Sequence, residues 1–113
     1  MIECSYERIF IHQYKEEDMP TDEKLMDLAD FYKVFGDFSR IKILFELRHE
    51  ELSVLALAER VGMSQSACSH QLKNLKSMDL VHTRRDGKAI YYSLADDHIA
   101  NILDMGLEHI NEE

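Results

Sequence analysis

Asp96, His98, His109 and Glu112 are the residues of this chain best suited to hold a metal ion. Each is a ligand type, and they fall as D-x-H and then H-x-x-E. The stretch 96–112 that carries them reads as one helix. His98 and His109 are eleven residues apart. That is three turns plus about 20°, so both lie on one face, but roughly 16 Å apart along the axis. Zinc–nitrogen bonds are only about 2.0–2.1 Å long, so one helix cannot bring both pairs to one ion. Two copies running antiparallel can. Asp96 and His98 of one protomer would meet His109 and Glu112 of its partner, and a two-fold axis makes two identical sites. Two imidazoles and two carboxylates suit Zn(II), with Co(II) or Ni(II) as alternatives. All four positions are filled by protein, which leaves none open for catalysis.

Each of the four has a plainer use when taken singly. Asp96 suits a helix N-cap, with Asp97 as a second acid for the first turn. Glu112 suits a solvated helix end. The histidines share a stripe with Ile102 and Met105, so either suits a hydrogen-bonded interface residue. Together they favour ligation, because each histidine has a carboxylate two or three positions away. Asp96 and His98 stand about 200° apart on an ideal helix. They converge only if Asp96 is the non-helical cap, so capping and ligation require the same helix start.

The elements that must position these residues can be read from spacing. Residues 1–20 suit an N-terminal arm or short helix around Ile9, Phe10, Ile11 and Tyr14. Pro20 closes it and Thr21 caps the next helix. Leu25, Leu28, Ala29, Tyr32 and Phe35 have helical spacing, predicting a helix over 22–35 that Gly36 ends. Asp37 or Ser39 caps a second helix that buries Ile41, Leu44 and Leu47 and ends near His49. A third, from about Ser53 to Val61, buries Leu57, Ala58 and Val61. Gly62 then supplies a left-handed turn residue, and Ser64 caps a fourth helix reaching about Met78. Helix, glycine turn, helix is the helix-turn-helix arrangement. After Asp79 the period becomes two. Strands over 80–84 and 88–94 flank Asp86-Gly87, a two-residue hairpin signal. The predicted fold is mainly α with one β-hairpin. It is a winged helix-turn-helix over residues 21–113, built as a homodimer, with the last helix serving dimerisation and metal sensing.

The chain has 113 residues and a net charge of −9, but the charge is unevenly spread. Residues 1–59 hold 7 basic and 14 acidic side chains, net −7. Residues 60–92 hold 6 basic and 2 acidic, net +4, and residues 93–113 hold 6 acidic and no basic, net −6. Such a chain meets an anion with its middle and a cation with its end. The fourth helix packs Ala67, Cys68, Leu72 and Leu75 inward and presents Gln65, Ser66, Ser69, His70 and Lys73. Short hydrogen-bonding residues at the start of such a helix suit base edges in the major groove of double-stranded DNA. Lys73 and Lys76 suit phosphates. Arg84, Arg85 and Lys88 flank the hairpin tip and suit the backbone or minor groove. The bland alternative is a solvated helix face.

No nucleophile–base pair and no glycine-rich phosphate loop is visible, so the sequence does not read as an enzyme. No apolar run approaches the ~18 residues of a membrane span. The N-terminus lacks the basic and apolar regions of a secretory signal. Cys4 and Cys68 are the only cysteines, which suggests a reducing, cytoplasmic location. Cys68 falls at the fourth helical position with Met63 before the cap, which fits a hydrophobic staple.

From about Leu28 to Glu112 the chain resembles the ArsR/SmtB family of metal-responsive repressors. The residues that carry the resemblance are FGDFSRIKIL at 35–44, ELSVLALAERVGMSQSACSHQLKNLKSMDLV at 51–81 and DGKAIYYSL at 86–94. ADDHIANILDMGLEHINE at 95–112 is similar to the zinc-sensing variety. In that variety the two pairs on the last helix bind zinc across the dimer, which implies the same role for Asp96, His98, His109 and Glu112. The resemblance implies a dimer that binds its operator metal-free and lets go when loaded with Zn(II), Co(II) or Ni(II), thereby releasing efflux or sequestration genes. The thiolate motif of arsenic, lead and cadmium sensors is replaced here by Ser53-Val54-Leu55. Cys4 and His12 do not rebuild an N-terminal thiolate site. Three other readings compete: a repressor with no metal input, a thiol-redox repressor using Cys4 or Cys68, and a protein–protein adaptor.

Overall fold

The computed structural model describes residues 19–112. The N-terminal arm expected over 1–20, with Cys4 and His12, therefore lies outside the described residues apart from Met19 and Pro20. The chain divides into two units, Met1–Tyr32 and Lys33–Glu113. The described part of the first belongs to helix α1, Asp22–Val34. It is capped by Thr21, whose hydroxyl accepts from the Lys24 N–H at 3.2 Å. Its apolar residues Leu25, Leu28 and Tyr32 are exposed.

The second unit starts from a cap legible in the sequence. Asp37 accepts the Arg40 N–H at 3.0 Å and opens α2, Phe38–His49. This helix buries Ile43, Leu44 and Leu47. The expectation for Ile41 needs correction: it is only half-buried, because it faces an open groove, and Ile43 takes the core position. Next comes a two-residue strand the periodicity did not predict, β1, Leu52–Ser53. Ser53 also caps α3, Val54–Val61, by accepting from the Ala56 N–H. Leu57, Ala58 and Val61 are buried as predicted. Gly62 ends α3 in the left-handed region, with φ 74° and ψ 37°.

Ser64 accepts the Ala67 N–H at 3.0 Å and starts α4, Gln65–Ser77. Asp79 then adopts φ 62°, an unusual angle for a non-glycine residue. The Leu80 N–H donates to Leu75 O at 2.9 Å and the Asp79 N–H to Lys76 O at 3.0 Å. This is the Schellman pattern, and its apolar partners, Leu75 and Leu80, are both fully buried. Strands β2, Val81–Asp86, and β3, Ala89–Leu94, form the wing, and the sheet order is β1-β3-β2. Asp86 pairs with Ala89, so the two loop residues are Gly87 and Lys88 rather than Asp86 and Gly87. Glycine, at φ 66°, occupies the first loop position, which is where a type II′ turn requires it.

The last helix, α5, spans Asp97–Asn111. Ile43, Leu44, Leu57, Leu72, Leu75, Leu80, Val81 and Cys68 form the fully buried core beneath α4 and the wing. The architecture is a winged helix-turn-helix. No described helix is long and apolar enough to cross a membrane.

Candidate nucleic-acid interface and metal-ligand pairs

Helix α4 offers a polar face because its apolar residues recur at the helical period. Cys68, Leu72 and Leu75 are buried, while Gln65, Ser66, His70 and Lys73 are exposed and Ser69 is half-exposed. Ala67, expected inside, is exposed. It lies in the first turn, where its backbone N–H serves the Ser64 cap. Beside Ser66, it adds a small, flat patch to the presented surface.

The wing carries Arg84, Arg85 and Lys88, all exposed. Arg84 is also tied within the protein. Its Nε donates to Glu51 Oε2 at 3.0 Å and its Nη2 to Glu51 Oε1 at 2.8 Å. The guanidinium stands 5.0 Å from the centroid of Tyr91, its cross-strand partner. The Arg84 fork holds the Glu51 carboxyl below the usual carboxylate range, and Glu51 raises Arg84 further. Sequence reasoning missed this pair, which joins positions 33 residues apart.

At the other candidate site, Asp96 is the N-cap of α5, in extended conformation at φ −164° and ψ −178°. Its Oδ1 accepts the N–H of His98 at 2.9 Å and of Ile99 at 3.3 Å. The non-helical cap that convergence demanded is therefore present. His98 Nδ1 lies 3.5 Å from Asp96 Oδ1, and the imidazole is 87% exposed. Two ligands of a tetrahedral zinc at bond lengths of about 2.0–2.1 Å stand roughly 3.4 Å apart. The 3.5 Å gap is thus an edge that such an ion fits. His109 lies in the last turn, and Glu112 is the C-cap at φ −74° and ψ 137°. Both are exposed. The structure brings Asp96 and His98 together and sets His109 and Glu112 at the far end of the same helix. Among the described residues, no three His, Cys, Asp or Glu side chains gather within one chain.

Between the two pairs, Asp104 binds Arg48 of α2 through two contacts of 2.6 Å, from Nε and Nη2. The hydrogen bonds from Arg48 hold the Asp104 carboxyl below its ordinary range. The start of α5 is fixed by the Ala95 N–H, which donates to Leu80 O at 2.9 Å. Further along, Phe35, Ile41, Phe45, Ile102, Leu107 and Ile110 line an apolar groove between α2 and α5. Ile110 is 74% exposed.

Comparison with known proteins agrees with this arrangement. The family described as "Bacterial regulatory protein, arsR family" matches residues 37–83. The chain is 38% identical over 102 residues to "Transcriptional repressor SmtB homolog" of Synechocystis sp., covering 90% of this chain and 76% of that protein. It is 49% identical over 71 residues to "HTH-type transcriptional regulator NmtR" of Mycobacterium tuberculosis, covering 63% of this chain and 59% of that protein. Among solved structures, the homodimeric winged helix-turn-helix DNA-binding domain Mb0332 of Mycobacterium bovis is similar at a TM-score of 0.75 and 30% identity. That match covers 84% of this chain and 89% of that one.

Proposed function

We propose a repressor released from DNA by zinc, and the premise is family: the chain belongs to the ArsR/SmtB family of metal-sensing transcriptional repressors. It is a DNA-binding regulator and not an enzyme. In this proposal two copies join through their α5 helices, in the cytoplasm, and bind operator DNA without metal. Helix α4 reads base edges through Gln65, Ser66, Ser69 and His70, with Lys73 on phosphate. Arg84, Arg85 and Lys88 of the wing hold the adjacent backbone. Zn(II), with Co(II) or Ni(II) as chemical alternatives, binds Asp96 and His98 of one protomer together with His109 and Glu112 of its partner. Release opens genes for efflux or sequestration of the metal.

The single observation that carries this proposal is the convergence of Asp96 and His98, 3.5 Å apart at the cap of α5. A cap alone needs only the aspartate. The exposed imidazole beside it is not needed for the cap, and the second pair lies one helix length away, where an antiparallel copy brings it back. The exposed Met105, on the stripe shared by His98 and His109, supplies apolar surface for that copy.

A short route connects the ion to the DNA-reading helix. Asp96 and His98 adjoin Ala95, whose N–H bonds Leu80 O, and the Leu80 N–H bonds Leu75 O at the end of α4. Pinning the start of α5 to a second protomer therefore pulls on the C-terminus of α4 through two hydrogen bonds. Zinc acts as an effector only if it binds the DNA-incompetent arrangement better. Setting the two α4 helices off the ~34–36 Å spacing of one DNA turn achieves that. A coupling of ~1–3 kcal/mol, typical of allosteric pairs, means roughly 5–150-fold weaker operator binding.

The test is fluorescence anisotropy on a selected duplex, titrated with Zn(II) and then with chelator. Reversible release by zinc, abolished in His98→Ala, is the expected result. Tight binding that is indifferent to zinc refutes the metal input and leaves a DNA-binding regulator. The thiol alternative at Cys68 is disfavoured by complete burial and a raised thiol pKa.

A further inference from the structure

The fork of Arg84 faces a carboxylate in the geometry that a phosphate would use. Two parallel N–H bonds, at 3.0 and 2.8 Å, reach both oxygens of Glu51. A guanidinium makes the same bidentate pattern with a DNA phosphate. Tyr91 covers one face of the group at 5.0 Å, and Asp86 Oδ2 stands 4.0 Å from Nη1. Glu51 lies immediately before β1, and Ser53 of that strand pairs with Tyr91. The short strand thus delivers a carboxylate to the wing's first arginine. Arg85 and Lys88 take part in none of these ion pairs.

We propose that Glu51 is a built-in phosphate surrogate, whose carboxylate occupies the Arg84 edge and which DNA must displace before Arg84 contacts the backbone. It restrains indiscriminate affinity for DNA and leaves the α4 contacts to decide where the protein binds. The exchange swaps one anion for another on the same fork. While its fork stays on Glu51, Arg84 neutralises no phosphate and releases no counterion from the DNA, so the salt dependence of indiscriminate binding is shallower than the number of wing cations implies. The proposal rests on the wing being a DNA contact.

The test measures affinity for a random-sequence duplex against salt concentration in four proteins: unsubstituted, Glu51→Gln, Arg84→Gln and the double variant. E51Q should bind several-fold tighter at low salt. Its log–log salt slope should steepen by about one, so the advantage shrinks by about 3.5-fold between 50 and 200 mM salt. R84Q alone should not steepen the slope, and in that background E51Q should leave the slope unchanged. A steepening from E51Q that persists beside R84Q would mean Glu51 acts as an ordinary repelling charge, and an unchanged slope in E51Q alone or weaker binding would mean it only positions the wing. Either result overturns the proposal. A fifth protein, R85Q/K88Q, separates the premise: if it binds DNA as the unsubstituted protein does, the wing is not a contact and that reading fails on its own.

Discussion

If each metal site draws one ligand pair from each protomer, two different broken chains should repair each other. Helix α5 is continuous from Asp97 to Asn111, so the eleven residues from His98 to His109 span roughly 16 Å. No zinc, with bonds of about 2.0–2.1 Å, bridges that distance inside one chain. A His98→Ala homodimer therefore has both sites damaged, and so does a His109→Ala homodimer. In a dimer of one H98A chain and one H109A chain, both losses fall on the same site. The other site joins the intact His98 pair to the intact His109 pair and is whole. Random exchange between two closed dimers gives about half mixed dimers. The mixture should hold about one tight zinc per two dimers, the unsubstituted protein about two per dimer, and either variant alone none. Loss of even an outer-shell partner costs metal sites about 10–100-fold in affinity, so loss of a direct ligand is easily resolved. Competition against a chromogenic chelator, before and after exchange, counts these sites. If mixing regenerates no tight site, the ligands do not cross the dimer and the antiparallel arrangement is wrong.

Two further outcomes concern the core. Leu80 is fully buried, and Leu80→Ala should cost ~2–5 kcal/mol, visible as a melting temperature lower by at least about 8 °C. A smaller shift would mean that the junction between α4 and the wing collapses onto the gap. Burial pushes the Cys68 thiol up, so iodoacetamide should leave Cys68 unmodified in native protein near neutral pH and label it in denaturant, with peptide mass spectrometry separating it from Cys4. Its contribution to stability is complete below the ordinary cysteine value and is lost as pH rises through the higher folded-state value. Cys68→Ala should therefore flatten the alkaline decline in melting temperature. Rapid labelling of the native protein would instead revive the thiol-redox alternative.

Local chemistry was the part legible in the sequence. Thr21, Asp37, Ser64 and Asp96 all cap the helices they precede, because a cap needs only a short polar side chain next to unsatisfied N–H groups. Gly62 was visible for a similar reason: a left-handed residue between two helical runs calls for glycine. Where the result depends on distant parts of the chain, the same reasoning slipped. The exchange of Ile41 for Ile43 in the core depends on where α5 leaves a groove. Strand β1 has two residues, too few for any period, and exists because Tyr91 and Tyr92 offer an edge.

The same division runs through the functional surfaces. The pair Asp96–His98 was legible because its members are two positions apart and one is a cap. Arg84–Glu51 and Arg48–Asp104 join residues 33 and 56 positions apart, so no spacing rule exposes them. Yet these distant pairs are what link the elements. Arg48 ties the middle of α5 to α2, between the two ligand pairs, and Glu51 ties the wing to the chain entering α3. Local chemistry thus places the groups proposed to meet metal and DNA, while long-range ion pairs tie the elements that carry those groups. A relative with the same D-x-H and H-x-x-E residues but without an arginine at the position of Arg48 should bind zinc as well and respond to it less.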